Sequence, residues 1–294
     1  MLKLTRHVFE WSADPRCADY YERALFNGIL GTQHPSDGMT LYYVPLASGY
    51  WKLFGLPFDA FWCCTGTGLE SFSKLGDSIY FHDDEGIYVN LFIASTVDWP
   101  EKDISLEQST AFPESDTTTI TIRCKQPVPM RLRLRVPYWA TARGAATLNG
   151  KELEGFAEPG GYFTIRRTWK DGDRVEMKLP MSLHSHPMPD DDSVQAFLYG
   201  PLVLAGRLGT QNLDPSILRA EPTKPRTVPE YQGQPVSAPE LNCASARTLD
   251  LLHADPAQPL QFAAKGQSRD IQLIPFYKLF DERYAIYWKI NRTT

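Results

Sequence analysis

Ser78-Ile79-Tyr80-Phe81-His82-Asp83-Asp84-Glu85-Gly86-Ile87-Tyr88-Val89-Asn90-Leu91 is the stretch at which the chain changes its hydrophobic period. Two β-rich runs flank an acidic turn that ends in glycine, the pattern of two strands and a tight connection. Before it, apolar residues recur three and four positions apart, as on the buried stripe of a helix. After it they alternate, as on a half-buried strand. The fold class expected from that change is α+β, with helices in the first ~80 residues and strands in the remainder.

Upstream, Leu2, Leu4, Val8, Phe9 and Trp11 predict one short helix. Asp14-Pro15 supplies an N-cap and a first-turn proline for a second. Its apolar stripe is Cys17, Tyr20, Tyr21, Ala24, Leu25 and Gly28, and Gly31 ends it. Residues 35–57 read as a looped excursion punctuated by Gly38, Gly49 and Gly55. A third helix is expected to begin near Thr67, because Thr67-Gly68-Leu69-Glu70 has capping-box spacing, and to stop at Gly76.

Downstream, Thr119-Ile120-Thr121-Ile122-Arg123 alternates cleanly. Met130-Arg131-Leu132-Arg133-Leu134-Arg135-Val136 does the same and sets three arginines on one face, read as a solvated sheet face rather than an anion site. Asn149-Gly150 signals a hairpin, and Arg174 to Leu179 is another alternating run. A cluster of His, Pro and Asp over 185–192 marks a boundary. Beyond it, Ala196 to Ala205 predicts buried strand broken at Gly200-Pro201, 209–260 predicts long surface loops, and Ile271 to Tyr277 and Tyr284 to Trp288 predict the last strands. The expected domains are a helical 1–79, a β-sandwich over 80–184 and a second β-sandwich over 185–294. Roughly three helices are too few to bury their own apolar faces, so the helical side looks incomplete.

Composition narrows the function classes. At 294 residues, 43% hydrophobic and 22% charged, the chain suits an ordinary globular protein of one to three domains. Its net charge of −5 argues against a nucleic-acid surface and suits a neutral polar ligand. No apolar run reaches the ~18 residues of a membrane span, and Met1 to Arg6 does not open a signal peptide. Five cysteines at irregular spacing form no disulfide framework. They favour a reducing, cytoplasmic setting or a metal-bound one, with localisation left open because a leader upstream would change it.

The chemistry concentrates in Phe61-Trp62-Cys63-Cys64-Thr65-Gly66-Thr67-Gly68-Leu69-Glu70. Adjacent thiols just before a helix start face exposed N–H groups and the positive end of the helix dipole, which stabilise a thiolate. A thiolate is a nucleophile, a metal ligand or both; the bland alternative is a pair of small, buried, inert cysteines, and a vicinal disulfide is a further one. Zinc needs about four ligands. The thiols supply two at most, and His7, His34 and His82 are scattered. Glu22, in Asp19-Tyr20-Tyr21-Glu22-Arg23, either meets a substrate hydroxyl or is a solvated or salt-bridged helix residue, and Glu70 is most simply part of the capping box. No GxSxG, P-loop or dinucleotide fingerprint is present.

These residues carry a resemblance. Met1 to Arg6, Ala18 to Asn27, the Trp-Cys-Cys-Thr-Gly-Thr-Gly segment, Gly76 to Phe81, Trp169 to Asp173, Tyr199 to Gly206, Pro275-Phe276-Tyr277 and Tyr284 to Trp288 resemble the β-L-arabinofuranosidase family, glycoside hydrolase family 127, and its relatives. The resemblance implies the last helices of an (α/α) barrel followed by two all-β sandwich domains. It implies a retaining exo-glycosidase with a zinc-bound cysteine nucleophile. Cys63 matches the nucleophile and a zinc ligand, Cys64 matches the next ligand, and Glu22 and Tyr43 match sugar-contacting positions. In the family, a Glu-x-Cys pair with the other zinc ligands precedes the segment matching Met1 to Arg6, and the acid/base glutamate lies earlier still; neither is in this chain.

The expectation is therefore the C-terminal portion of such an enzyme. It implies one zinc ion in the intact enzyme and weak or absent zinc here. The implied partners are a missing N-terminal barrel segment and an arabinose-containing oligosaccharide or glycoconjugate, with no nucleic acid and no membrane. Little activity is expected from the chain alone. Two rival readings are a non-catalytic β-sandwich carbohydrate-binding or scaffold protein and a redox protein using a vicinal disulfide.

Overall fold

The computed structural model describes residues 1–59, 62–140, 144–219, 235–245, 247–265 and 267–292. Phe61, at the head of the thiol motif, and residues 220–234 and 246 of the expected loop region lie outside them. The architecture is mixed α+β, mostly sheet with few helices. Contacts divide the chain into two units, Met1–Glu22 with Leu75–Ser182, and Arg23–Lys74 with Leu183–Thr294. Among the described residues no helix is long and apolar enough to cross a membrane.

The first unit opens with α1 (Leu2–Ser12) and the start of α2 (Pro15–Ala24). Asp14 caps α2 as its sequence predicts: its Oδ1 accepts the Arg16 N–H at 2.9 Å. The strands follow as β1 (Tyr80–Asp83), β2 (Gly86–Val89), β3 (Ser95–Trp99), β4 (Ile104–Thr110), β5 (Thr117–Cys124), β6 (Val128–Val136), β7 (Ala145–Leu148), β8 (Lys151–Glu152), β9 (Gly161–Trp169) and β10 (Arg174–Lys178). Strands β1-β2-β6-β9 make one sheet and β3-β4-β5-β10-β7-β8 another. The acidic turn behaves as read, with Asp83 Oδ1 accepting the Glu85 and Gly86 N–H groups at 2.9 Å. Asn149-Gly150 closes the β7–β8 hairpin with both residues at positive φ, the backbone of a type I′ turn. Ile87, Leu132 and Leu134 of one sheet and Leu106, Ile120, Ile122 and Val175 of the other belong to a single apolar core.

The arginine face of β6 corrects the sequence reading. Arg133 and Arg135 are buried, and Arg135 is 0% exposed. The reason is tertiary: helical residues of the same unit cover that face. Phe9 packs on Phe81 and Tyr88, and Arg135 is held by Asp19 and Glu22 of α2.

In the second unit α2 runs on into a π-turn (Leu25–Ile29) and a 3-10 turn (Leu30–Thr32), so the helix ends where Gly31 predicts. Residues 35–57 are largely irregular, yet Trp51, Lys52, Leu53 and Phe54 within them are buried. After α3 (Cys63–Ser73) the unit is β11 (Leu183–Pro187), β12 (Val194–Tyr199), β13 (Leu202–Gly209), β14 (Leu241–Cys243), β15 (Leu252–Ala254), β16 (Phe262–Ala264), β17 (Ile271–Pro275), β18 (Arg283–Ala285) and β19 (Tyr287–Arg292). They share one nine-stranded sheet, ordered β14-β19-β12-β13-β17-β16-β15, with β11 on β12 and β18 on β13. Gly200-Pro201 breaks β12 from β13 as expected. The His-Pro-rich boundary is partly strand: His184, Ser185 and His186 pair with Leu198, Phe197 and Ala196.

Candidate active site

The thiol segment forms a helix earlier than its capping-box spacing suggests. Trp62 is extended and serves as N-cap, and Cys63 and Cys64 are the first two residues of α3. The Thr65 N–H donates to the Trp62 carbonyl at 3.0 Å, and the Trp62 N–H donates back to Thr65 Oγ1 at 3.4 Å. Thr67 lies inside the helix, with its hydroxyl donating to the Cys63 carbonyl at 3.3 Å. Glu70 is an interior residue paired with Lys74 at 3.5 Å. The physical reason is that Trp62 and Thr65 already satisfy the helix start, which leaves Thr67 no terminus to cap.

This shift strengthens the electrostatic case for the thiols. Both belong to the first turn, where backbone N–H groups lack intrahelical acceptors and the dipole is positive. No acidic side chain occupies that turn. Cys63 is exposed and Cys64 half-buried, and both are free thiols. Their sulfurs stand 3.8 Å apart. Burial, then the neighbouring Cys63, pushes the Cys64 thiol above its ordinary range.

Aromatic residues frame the pair. Cys63 Sγ donates to Tyr42 Oη at 4.0 Å. The Tyr42 ring meets Tyr43 edge-on at 4.6 Å and Trp62 edge-on at 6.2 Å. The hydrogen bond with Cys63, and then the charge of Cys63, push the pKa of the Tyr42 phenol above its ordinary value. Tyr43 is 55% exposed. Sequence reasoning singled out Tyr43 and missed Tyr42. No period in the sequence marks Tyr42, since Thr40 and Leu41 before it are both buried.

The donor chemistry suits part of a zinc site. Two sulfurs bound to one tetrahedral zinc at about 2.3 Å stand about 3.8 Å from each other, the separation found here. Among the described residues no group of three or more His, Cys, Asp and Glu side chains is placed to hold a metal. His34 is buried with its ring nitrogens engaged by Asp281 at 2.9 Å and Ser36 at 2.7 Å. Cys63 and Cys64 therefore offer two donors.

Glu22 belongs to the first unit, the thiols and Tyr43 to the second. Its carboxylate is 0% exposed and paired with Arg135, so of the solvated or salt-bridged alternatives it is the salt-bridged one. Oε1 accepts from Arg135 Nη2 at 2.5 Å and Oε2 from the Trp139 indole N–H at 2.8 Å. The Arg135 Nε donates to the Asn90 carbonyl at 2.6 Å. Both Glu22 oxygens are thus engaged inside their own unit.

Comparison with known proteins adds the following. A family model described as the GH127 β-L-arabinofuranosidase catalytic domain matches residues 1–77, and one described as the GH127 middle domain matches 86–181. A model described as a domain of unknown function matches 184–290. No curated protein matches the chain. Among solved structures, a glycoside hydrolase aligns at 19% identity with a TM-score of 0.74, covering 99% of this chain and 51% of that one. A GH127 β-L-arabinofuranosidase from Geobacillus stearothermophilus T6 aligns at 18% identity and TM-score 0.70, covering 99% and 48%. The GH127 β-arabinofuranosidase BT3674 aligns at 21% identity and TM-score 0.70, again covering 99% and 48%. The chain thus spans about half the length of the solved structures it matches.

Proposed function

We propose, from the premise that the chain belongs to the β-L-arabinofuranosidase family, glycoside hydrolase family 127, that it carries the thiol half of a retaining glycosidase centre. The carrying observation is the paired sulfurs, 3.8 Å apart in the first turn of α3 beside Tyr42. Cys63, the more exposed, is the nucleophile. As thiolate it attacks the anomeric carbon, a C–S bond forms as the glycosidic C–O bond breaks, and the departing oxygen takes a proton from a general acid. Water then displaces the sulfur with that same group acting as base. Cys63 and Cys64 would hold zinc, which when bound keeps a coordinated thiol ionised.

Tyr43, with Tyr42 and Trp62, supplies aromatic faces for a sugar ring, and membership of the family makes the substrate an arabinose-containing oligosaccharide or glycoconjugate. Glu22 has both oxygens committed to Arg135 and Trp139. A sugar contact through it requires exchanging one of those bonds, so its contribution is to hold α2 rather than to carry the chemistry. Residues 1–79 are assigned to a helical (α/α) barrel domain, 80–184 to a β-sandwich and 185–294 to a second, in keeping with the separate matches at 1–77, 86–181 and 184–290. The acid/base carboxylate and the other zinc ligands are assigned to an N-terminal barrel segment outside this chain. By itself the chain then hydrolyses little.

The test joins the chain to such a segment from a family member and assays an aryl β-L-arabinofuranoside. Cys63→Ala should abolish turnover, a loss of about 10³-fold or more. Intact-mass spectrometry of the parent should trap one pentosyl unit on Cys63. Full activity in Cys63→Ala would remove the assignment. The two-donor geometry also favours a second reading, a non-catalytic carbohydrate-binding or scaffold protein. Glycan binding that survives Cys63→Ala, with no activity in the joined protein, would select it.

A further inference from the structure

We infer that the contact between Gly68 and Thr40 is the spacer that sets the distance between Cys63 and Tyr42, making both positioning residues of the thiol site. Gly68 lies five residues after Cys63 on α3, about 7.5 Å further along the axis. Thr40 and Tyr42 are two residues apart, a reach of about 7 Å of chain. The two spacings are similar. The chain runs past the helix with Thr40 against Gly68 and Tyr42 against the thiol turn.

The fit at Gly68 is close. A Cβ there would fall 2.5 Å from Thr40 Cγ2, 2.9 Å from its Cβ and 3.0 Å from its Oγ1. Thr40 cannot yield easily. It is 4% exposed, β-branched and fixed by two backbone ties, the bridge to Gln33 and the bond from the Gly55 N–H to its carbonyl at 3.1 Å. Any side chain at 68 must push α3 away from Thr40. The Cys63–Tyr42 contact, at 4.0 Å, has no slack to absorb that movement. Gly66, by contrast, has nothing within 4 Å of where its Cβ would be, so the requirement belongs to Gly68 and not to a flexible glycine turn.

The catalytic meaning of this spacer rests on the reading of Cys63 as the reactive group, so its test avoids glycosidase activity. The rate of Cys63 alkylation by iodoacetamide is measured at one fixed pH in the 294-residue chain, resolved from the other cysteines by peptide mass spectrometry. The Tyr42 hydroxyl accepts from the Cys63 thiol at 4.0 Å, and its loss in Tyr42→Phe should change the rate about threefold. In a Gly68→Ala background, Tyr42→Phe should have no further effect. Adding Thr40→Gly, which clears every clashing atom, should restore the threefold difference. A merely destabilised helix would not recover the coupling in this way.

Thr40→Ala in the Gly68 background is the second arm, because it removes Cγ2 and Oγ1 without adding bulk. It should weaken the Tyr42 effect by loosening the helix. Two results would overturn the inference: a Tyr42 effect of unchanged size in both Gly68→Ala and Thr40→Ala, or no restoration in the double variant. Either can occur whether or not Cys63 attacks a sugar.

Discussion

Lys52 is 1% exposed, and among the described residues no carboxylate pairs with it. Its ammonium donates to the Phe276 carbonyl at 2.8 Å and lies over the Phe276 and Phe280 rings at 4.3 and 4.6 Å. Those contacts offset only part of the desolvation, and burial lowers its ionisation from 10.5 to about 7. Between those values the unfolded chain binds more protons than the folded one. The Lys52 contribution to stability should therefore be lowest and flat below pH 7 and rise toward pH 10.5. Urea midpoints at pH 6, 8 and 10 should climb in the parent and flatten in Lys52→Met, which should also be the more stable at pH 6 by about 1–3 kcal/mol.

Arg135 is the opposite case, a buried cation with two carboxylate partners. Arg135→Met leaves Asp19 and Glu22 buried without it and should cost about 3–5 kcal/mol in urea unfolding. Adding Glu22→Gln should recover part of that loss. The alternation of β6 was legible in the sequence, and so was the arginine face. Its burial was not, because Asp19 and Glu22 come from more than a hundred positions away.

Among the elements, those closed by local chemistry were legible. The β7–β8 hairpin follows from Asn149-Gly150 because few other pairs accept positive φ at both central positions. Gly150→Ala should destabilise the protein by about 1 kcal/mol without a clash, since nothing lies within 4 Å of its missing Cβ. Chemical denaturation of the pair of proteins measures it. The α2 cap was legible for the same reason: Asp14 needs only its own chain to find the Arg16 N–H. The start of α3 was not, because two overlapping signals compete. Thr67-Gly68-Leu69-Glu70 has the right spacing, but the bonds between Trp62 and Thr65 begin the helix one turn earlier. That one turn moves Cys63 and Cys64 from the approach to the helix into its positive end.

At the scale of the whole chain, the site's composition limits its behaviour. Two thiols at a tetrahedral-edge separation can begin a zinc site, and about four donors complete one. The chain alone should hold zinc weakly: dialysis against a chelator and metal analysis should leave it substoichiometric, and Cys64→Ser should abolish what remains. Stoichiometric, chelator-resistant zinc would mean that donors in this chain complete the set.

The sequence by itself determined the α+β class, the change of period near Ser78, the hairpin turns and the thiol pair with its family likeness. Each depends on residues a few positions apart, whose geometry the local backbone dictates. Tertiary structure alone decided that the arginine face is buried, that Glu22 is spent on Arg135 and Trp139, and that Tyr42 rather than Tyr43 meets Cys63. Those outcomes depend on which segments pack together, and packing joins residues whose separation along the chain leaves no periodic trace. The spacing of Cys63 from Tyr42 combines both levels, since a glycine visible in the sequence acquires its role only where the fold sets it against Thr40.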